Sequence, residues 1–151
     1  MYAGPARALV HAWKERGVRR ASGLAAELIL SHAEAPTVDA VTAVPADGER
    51  LLRRGHHPAE RLARELARRW DLPASRLLVR TRASSRQTGL RLVERRRNVV
   101  GAFAAKGVVP ERVLLVDDVY TTGATVSAAA DALLAGGART VRVLTFARTV
   151  R

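Results

Sequence analysis

The chain has 151 residues, 48% apolar and 26% charged, a composition that supports a closed hydrophobic core and argues against disorder. It contains no cysteine, which excludes disulfides, thiolate catalysis and cysteine-bound zinc, and no apolar run long enough to cross a membrane or opening signal segment is present; the cytoplasm is the expected location. The formal charge is +12, nearly all from arginine because only Lys14 and Lys106 are lysine. Arginine's planar fork suits phosphate, so nucleotides, nucleic acids and phosphorylated sugars are candidate partners, while a GC-rich coding sequence would give the same charge without any partner.

In chain order, the first third reads as helix. Ala6, Leu9, Val10 and Trp13 share one face, and Leu24, Ala25, Leu28 and Ile29 continue the pattern. "TVDAVTAVPAD" (37–47) reads as a buried strand opening into a loop. "PAERLARELARRW" returns to helical spacing through Leu62, Ala63, Leu66, Ala67 and Trp70, and "RLLVR" is a short strand. Residues 81–98 are polar and basic, a loop that becomes helix near Leu90. "RVLLVDD" is then a strand, and "ATVSAAADALLAGGA" a helix with Val126, Ala129, Ala130, Leu133 and Leu134 inward, ended by Gly136-Gly137. "TVRVLTFAR" is a closing strand. Strands alternating with helices imply an α/β fold with a mainly parallel sheet, and no repeat or linker divides the chain.

The segment "VLLVDDVYTTGAT" (113–125) carries the chemistry. In a parallel α/β sheet, ligands bind at the carboxyl ends of strands, and Asp117 and Asp118 stand there. The small residues of "TTGAT" precede a helix, so their backbone N–H groups, with the helix dipole behind them, suit a phosphate. The carboxylates suit hydroxyl groups, or a metal ion carried by the ligand. A molecule with both a phosphate and a vicinal diol satisfies both halves, and ribose 5-phosphate is one. A lone Asp-Asp would more simply be the start of a loop, with Thr-Thr-Gly a turn and helix cap.

The whole strand–DD–TTGxT–helix arrangement resembles the phosphoribosyl pyrophosphate (PRPP) motif of type I phosphoribosyltransferases. "RRGHHPAERLARELA" and "RQTGLRLVERRRNVVGAF", together with "LVHAWKERG" and its Lys14, narrow the resemblance to the ComF-like (competence protein F) branch over nearly the whole chain. Arg54, Gly55, Gln87, Leu90, Glu94, Arg95, Asn98, Gly101, Ala102 and Phe103 match that branch's pattern. Two departures stand out. The branch's cysteine-rich zinc-binding segment has no counterpart here, and His56-His57-Pro58 replaces an aromatic-Asn-Gln.

The resemblance implies a type I phosphoribosyltransferase fold with a small N-terminal helical hood, as a single domain over residues 1–151. It implies that Asp117 and Asp118 bind the ribose hydroxyls, and that Thr121, Thr122, Gly123, Ala124 and Thr125 cradle the 5-phosphate. Arg50, Arg53 and Arg54, in the loop after the first strand, become candidates for the pyrophosphate, with a solvated basic turn as the plain alternative. Arg82, Arg86, Gln87 and Asn98 belong to a closing loop, and Arg95 joins Asp117 and Asp118 as a catalytic candidate. The implied reaction is magnesium-dependent transfer of ribose 5-phosphate to a nucleobase or related nitrogen acceptor, with Mg2+ held through PRPP and not by protein side chains alone. The alternatives are a non-catalytic PRPP- or nucleotide-binding regulator, and an accessory of DNA uptake that binds single-stranded DNA. Aromatics are only 4% of the chain, so no stacking platform supports the last. Expected partners are PRPP and a nucleobase-like small molecule, with a homodimer allowed and no membrane.

Overall fold

The computed structural model describes residues 19–47, 57–81 and 101–148. Their elements are, in order, α1 (Arg19–Leu30), β1 (Ala40–Ala43), α2 (Pro58–Arg69), β2 (Leu78–Arg80), β3 (Phe103–Ala105), β4 (Arg112–Tyr120), α3 (Ala124–Ala135) and β5 (Thr140–Arg148). The fold is α/β: β1, β4 and β5 form a parallel sheet in that order, with Val41 opposite Leu114 and Val116 opposite Leu144. No helix among the described residues is long and apolar enough to cross a membrane.

Central strand β4 explains the layering. Val113 to Val116 are all buried, the unbroken apolar run expected of a parallel strand covered on both faces. Successive side chains leave a strand on opposite faces, so the run feeds two cores. Val113 and Leu115 pack with Val126, Ala129 and Leu133 of α3. Leu114 and Val116 pack with Leu62 and Leu66 of α2 and with Ala25 and Ala26 of α1.

At the open edge of β1, residues 73–75 run alongside as a partial fourth strand. Val41 N–H donates to Pro73 O at 2.8 Å and Ser75 N–H to Val41 O at 3.0 Å. Buried Thr42 completes the seam, its hydroxyl accepting from Leu77 N–H at 3.3 Å. Thr42→Val keeps the shape and leaves that N–H without its acceptor, so unfolding titrations should show a loss of about 1–2 kcal/mol.

The strand read at "RLLVR" is shorter, Leu78–Arg80, and pairs antiparallel with β3, which the sequence reading did not assign. Alanines give β3 little strand propensity of its own; pairing and the burial of Phe103 hold it. Thr81 N–H donates to Ala102 O at 2.9 Å, and its hydroxyl to Gly101 O at 2.5 Å. Thr81 and Gly101, the described residues on either side of 82–100, are therefore hydrogen-bonded neighbours.

Helix α2 follows its pattern, burying Leu62, Ala63, Leu66 and Ala67. It ends in a Schellman turn in which Leu72 N–H reaches Ala67 O at 2.8 Å and Asp71 takes a left-handed φ of 53°. Helix α3 ends the same way, with Gly137 in the position of positive φ and Ala138 N–H on Leu133 O at 3.0 Å. Two buried faces differ from expectation. On α1 the inward column is Ser22, Ala25, Ala26 and Ile29, while Leu24 and Leu28 remain 48% and 45% exposed. Small residues let α1 approach α2 closely, which rotates the leucines outward. On α3, Leu134 is exposed and Ala130 half-buried, because the column facing β4 is centred on Val126, Ala129 and Leu133. At the amino ends of the strands, Arg112 clamps Asp39, with Nη2 to Oδ1 at 2.5 Å, and that hydrogen bond holds the Asp39 carboxyl below the usual carboxylate range.

Candidate functional site

Strand β4 outlasts its apolar run and continues to Tyr120, so Asp117 and Asp118 lie inside the strand at its carboxyl end, both half-buried. β5 supports them, with Thr145 opposite Asp117 and Arg148 opposite Tyr120. Although adjacent in sequence, they alternate across the sheet: Asp118 follows Leu114 and Val116 to the α2 side, and Asp117 follows Val113 and Leu115 to the α3 side. Asp117 Oδ1 also accepts the N–H of Asp118 at 2.9 Å, which turns that carboxylate along the strand end.

The turn to α3 follows directly. Thr121 is exposed and Thr122 half-buried, and Gly123 sits at the N-cap with φ 76°. A Cβ there would stand 2.7 Å from Tyr120 Cζ, so the tyrosine ring underlies the turn. The Arg148 guanidinium lies 5.4 Å from that ring's centroid and backs it. Gly123 has no side chain to cap α3, and Thr122 Oγ1 approaches Ala124 N only at 3.5 Å. The first-turn amides and the positive end of the helix dipole are thus offered to an anion. A hollow of about 650 Å3 borders the turn, lined by Tyr120, Thr122, Gly123, Ala124 and Ser127 among others.

On the α2 side, His57 is the N-cap, its Nδ1 accepting from Glu60 N–H at 3.2 Å, with Pro58 at the first helical position. Burial pushes the imidazole below its ordinary pKa, against the pull of the Glu60 and Asp118 carboxylates; Arg76 adds to the depression. Glu60 is a local hub, with Arg64 Nη2 and Arg76 Nε each 2.6 Å from Oε1. Burial raises the Glu60 pKa and its arginine partners lower it, with the balance on the low side, so it is ionised at neutral pH. A second hollow of about 530 Å3 lies here, bordered by Pro45, Ala46, His57, Arg76, Arg80 and Lys106.

Of the residues singled out from sequence, Asp117, Asp118 and Thr121 to Thr125 lie together at the carboxyl end of β4 and the start of α3. Arg50, Arg53, Arg54, Arg82, Arg86, Gln87, Arg95 and Asn98 lie outside the described residues, as do Trp13 and Lys14. The sequence reading gave no role to Tyr120 and left His57 unexplained. A signal for His57 was present: a polar residue before Pro, with Glu three positions on, is an N-cap pattern. No local signal marks Tyr120, whose place depends on Gly123 and Arg148 arriving from separate elements.

Comparisons with known proteins bear on the family and the fold. Residues 51–149 match the model of the phosphoribosyl transferase domain. The "DNA utilization protein YhgH" of Escherichia coli O6:H1 is 38% identical over 161 aligned positions, covering 99% of this chain and 70% of its own. "Competence protein F" of Haemophilus influenzae is 35% identical over 115 positions, covering 73% of this chain and half of its own. Among solved structures, the glutamine PRPP amidotransferase of B. subtilis, complexed with ADP and GMP, superposes with a TM-score of 0.61 at 24% identity. That superposition covers 85% of this chain and 26% of the other, and it shows a shared fold. With the fold, the domain match and these relatives together, the chain belongs to the phosphoribosyltransferase family, in its ComF-like branch.

Proposed function

We propose that this protein binds PRPP at the carboxyl end of β4 and, with magnesium, transfers ribose 5-phosphate to a nitrogen nucleophile such as a nucleobase, releasing pyrophosphate. The observation that carries the reading is the run from Asp117 to Thr125: two half-buried carboxylates, then a left-handed glycine and an uncapped helix start. Carboxylates accept from the ribose diol, and amides donate to the 5-phosphate. The chain is read as one phosphoribosyltransferase domain. Arg50, Arg53 and Arg54 are proposed for the pyrophosphate, and Arg82, Arg86, Gln87, Arg95 and Asn98 for the closing segment.

Among the described residues no group of three or more His, Cys, Asp or Glu gathers. The donor set at the strand end is two carboxylates, which fits magnesium that arrives on the ligand's own oxygens and keeps its waters. When bound, the ion would offset charge on the leaving pyrophosphate. The protein's own work is to orient C1 toward the acceptor and keep water out. The acceptor nitrogen forms its bond to C1 as the C1–O bond breaks; pyrophosphate leaves with the electron pair, and the nitrogen gives up its proton to solvent or to the departing pyrophosphate.

The relatives' names favour a second reading, in which the site binds PRPP or a nucleotide without turnover while arginines hold single-stranded DNA. Calorimetric titration with PRPP and Mg2+, followed by pyrophosphate detection over a panel of bases and amines, separates the two. Saturable binding with pyrophosphate release supports the transferase. Binding without release, joined to DNA affinity that falls steeply with salt, supports the second reading. No PRPP binding ends the assignment.

A further inference from the structure

We infer that His57 is a hydrogen-bond donor to the ligand at the strand ends, through Nε2–H, while its Nδ1 holds the start of α2 behind it. The inference rests on the PRPP reading of the strand-end site and adds a residue from the other side of β4.

Nδ1 accepts the Glu60 N–H at 3.2 Å. A ring nitrogen that accepts carries no proton, so the uncharged imidazole carries its proton on Nε2. The cap thereby selects the tautomer. Among the described residues no group takes the Nε2 proton. The side chain is 13% exposed, and it borders the hollow beside Pro45 and Ala46, which lead away from the carboxyl end of β1. Asp118 is close enough for its charge to act on the ring. His57 therefore stands at the same strand ends as the acid pair.

Among the described residues, the charged groups acting on the ring are Glu60 of its own helix, Asp118 of β4 and Arg76 ahead of β2. Burial outweighs the two acids and keeps the ring uncharged at neutral pH. The residue thus offers a fixed donor without adding a cation. An asparagine at this position could carry the same pair of functions, one amide oxygen to cap and one N–H to donate. Imidazole preserves the pair over a longer reach. Protonation would end it, because Nδ1–H cannot accept from Glu60 N–H and would turn to Glu60 Oε2, 3.5 Å away. The folded-state pKa lies below the ordinary imidazole value of 6.5. The stabilising contribution is therefore complete above that pH and is lost as pH falls through the folded value.

The test compares wild type with His57→Asn and His57→Ser by calorimetric titration with Mg2+ and PRPP, alongside thermal unfolding and imidazole 15N shifts of the free protein. Serine caps a helix but is too short to reach the ligand; asparagine does both. Expected results are an unprotonated Nδ1 and protonated Nε2, and a serine variant that melts like wild type yet binds about tenfold more weakly. Asparagine restores most of that loss and lessens the decline in stability expected of wild type as the pH falls through the depressed imidazole pKa. Serine binding as tightly as wild type, or a proton on Nδ1, overturns the inference and leaves the PRPP reading standing. If wild type itself fails to bind PRPP, that reading falls and takes the inference with it.

Discussion

Asp117→Asn combined with Asp118→Asn should weaken PRPP binding by more than about a hundredfold, since each replacement removes a charge-assisted acceptor worth about 1.5–3 kcal/mol. The same double variant should fold as well as wild type. Asparagine is nearly isosteric, and its amide oxygen can still accept the Asp118 N–H that Asp117 Oδ1 takes at 2.9 Å. The melting temperature should stay close to that of wild type. Calorimetry with PRPP and Mg2+ reads the binding, and a thermal scan reads the fold. Retained affinity in a folded double variant would remove the diol contact from the proposal. The single variants should differ in their surroundings: Asp118→Asn also withdraws a carboxylate from His57, whose pKa should then fall further, while Asp117→Asn leaves that ring alone.

Gly123→Val is expected to damage both the fold and the site. The backbone there has φ 76°, a region that costs a β-branched residue on the order of 2 kcal/mol. The new Cβ would also run into the Tyr120 hydroxyl and stand 2.7 Å from Cζ. Neither atom is the loose end of a flexible chain, because the ring carries Arg148 against its face. The tyrosine must shift or the turn must open, and either movement misaligns the first amides of α3. Denaturant unfolding should show a loss of about 2–3 kcal/mol. PRPP binding should fall with it even at temperatures where the variant stays folded. A useful contrast is Tyr120→Ala combined with Gly123→Val, which makes room for the valine while leaving the positive φ. Partial recovery of stability without recovery of binding would separate the steric cost from the conformational one.

The candidate site at the end of β4 could be proposed from sequence because its parts are contiguous. Nine residues carry the acids, the turn and the helix start, and a buried strand followed by Thr-Thr-Gly has few other uses. β1, α2, β4, α3 and β5 were legible because their apolar periods are local and long. β3 was not: Phe103–Ala105 is three residues with poor intrinsic preference, held by a partner more than twenty positions earlier. Leu24, Leu28 and Leu134 show the same limit for helices. Periodicity says that a face is apolar, but neighbouring elements choose which column turns inward.

The amino-acid order alone pointed to an α/β chain of the phosphoribosyltransferase family and picked out Asp117 to Thr125 as a candidate site at the end of the β4 strand. Those conclusions depend on residues within one or two turns of each other. Only tertiary structure decided that the two acids straddle β4, that Tyr120 and Arg148 underlie the glycine turn, and that the charge of Asp118 reaches His57 at the start of α2. Each of these joins elements distant in sequence. Their meeting is set by how α2 and α3 close over opposite faces of one sheet, and no local pattern encodes that packing.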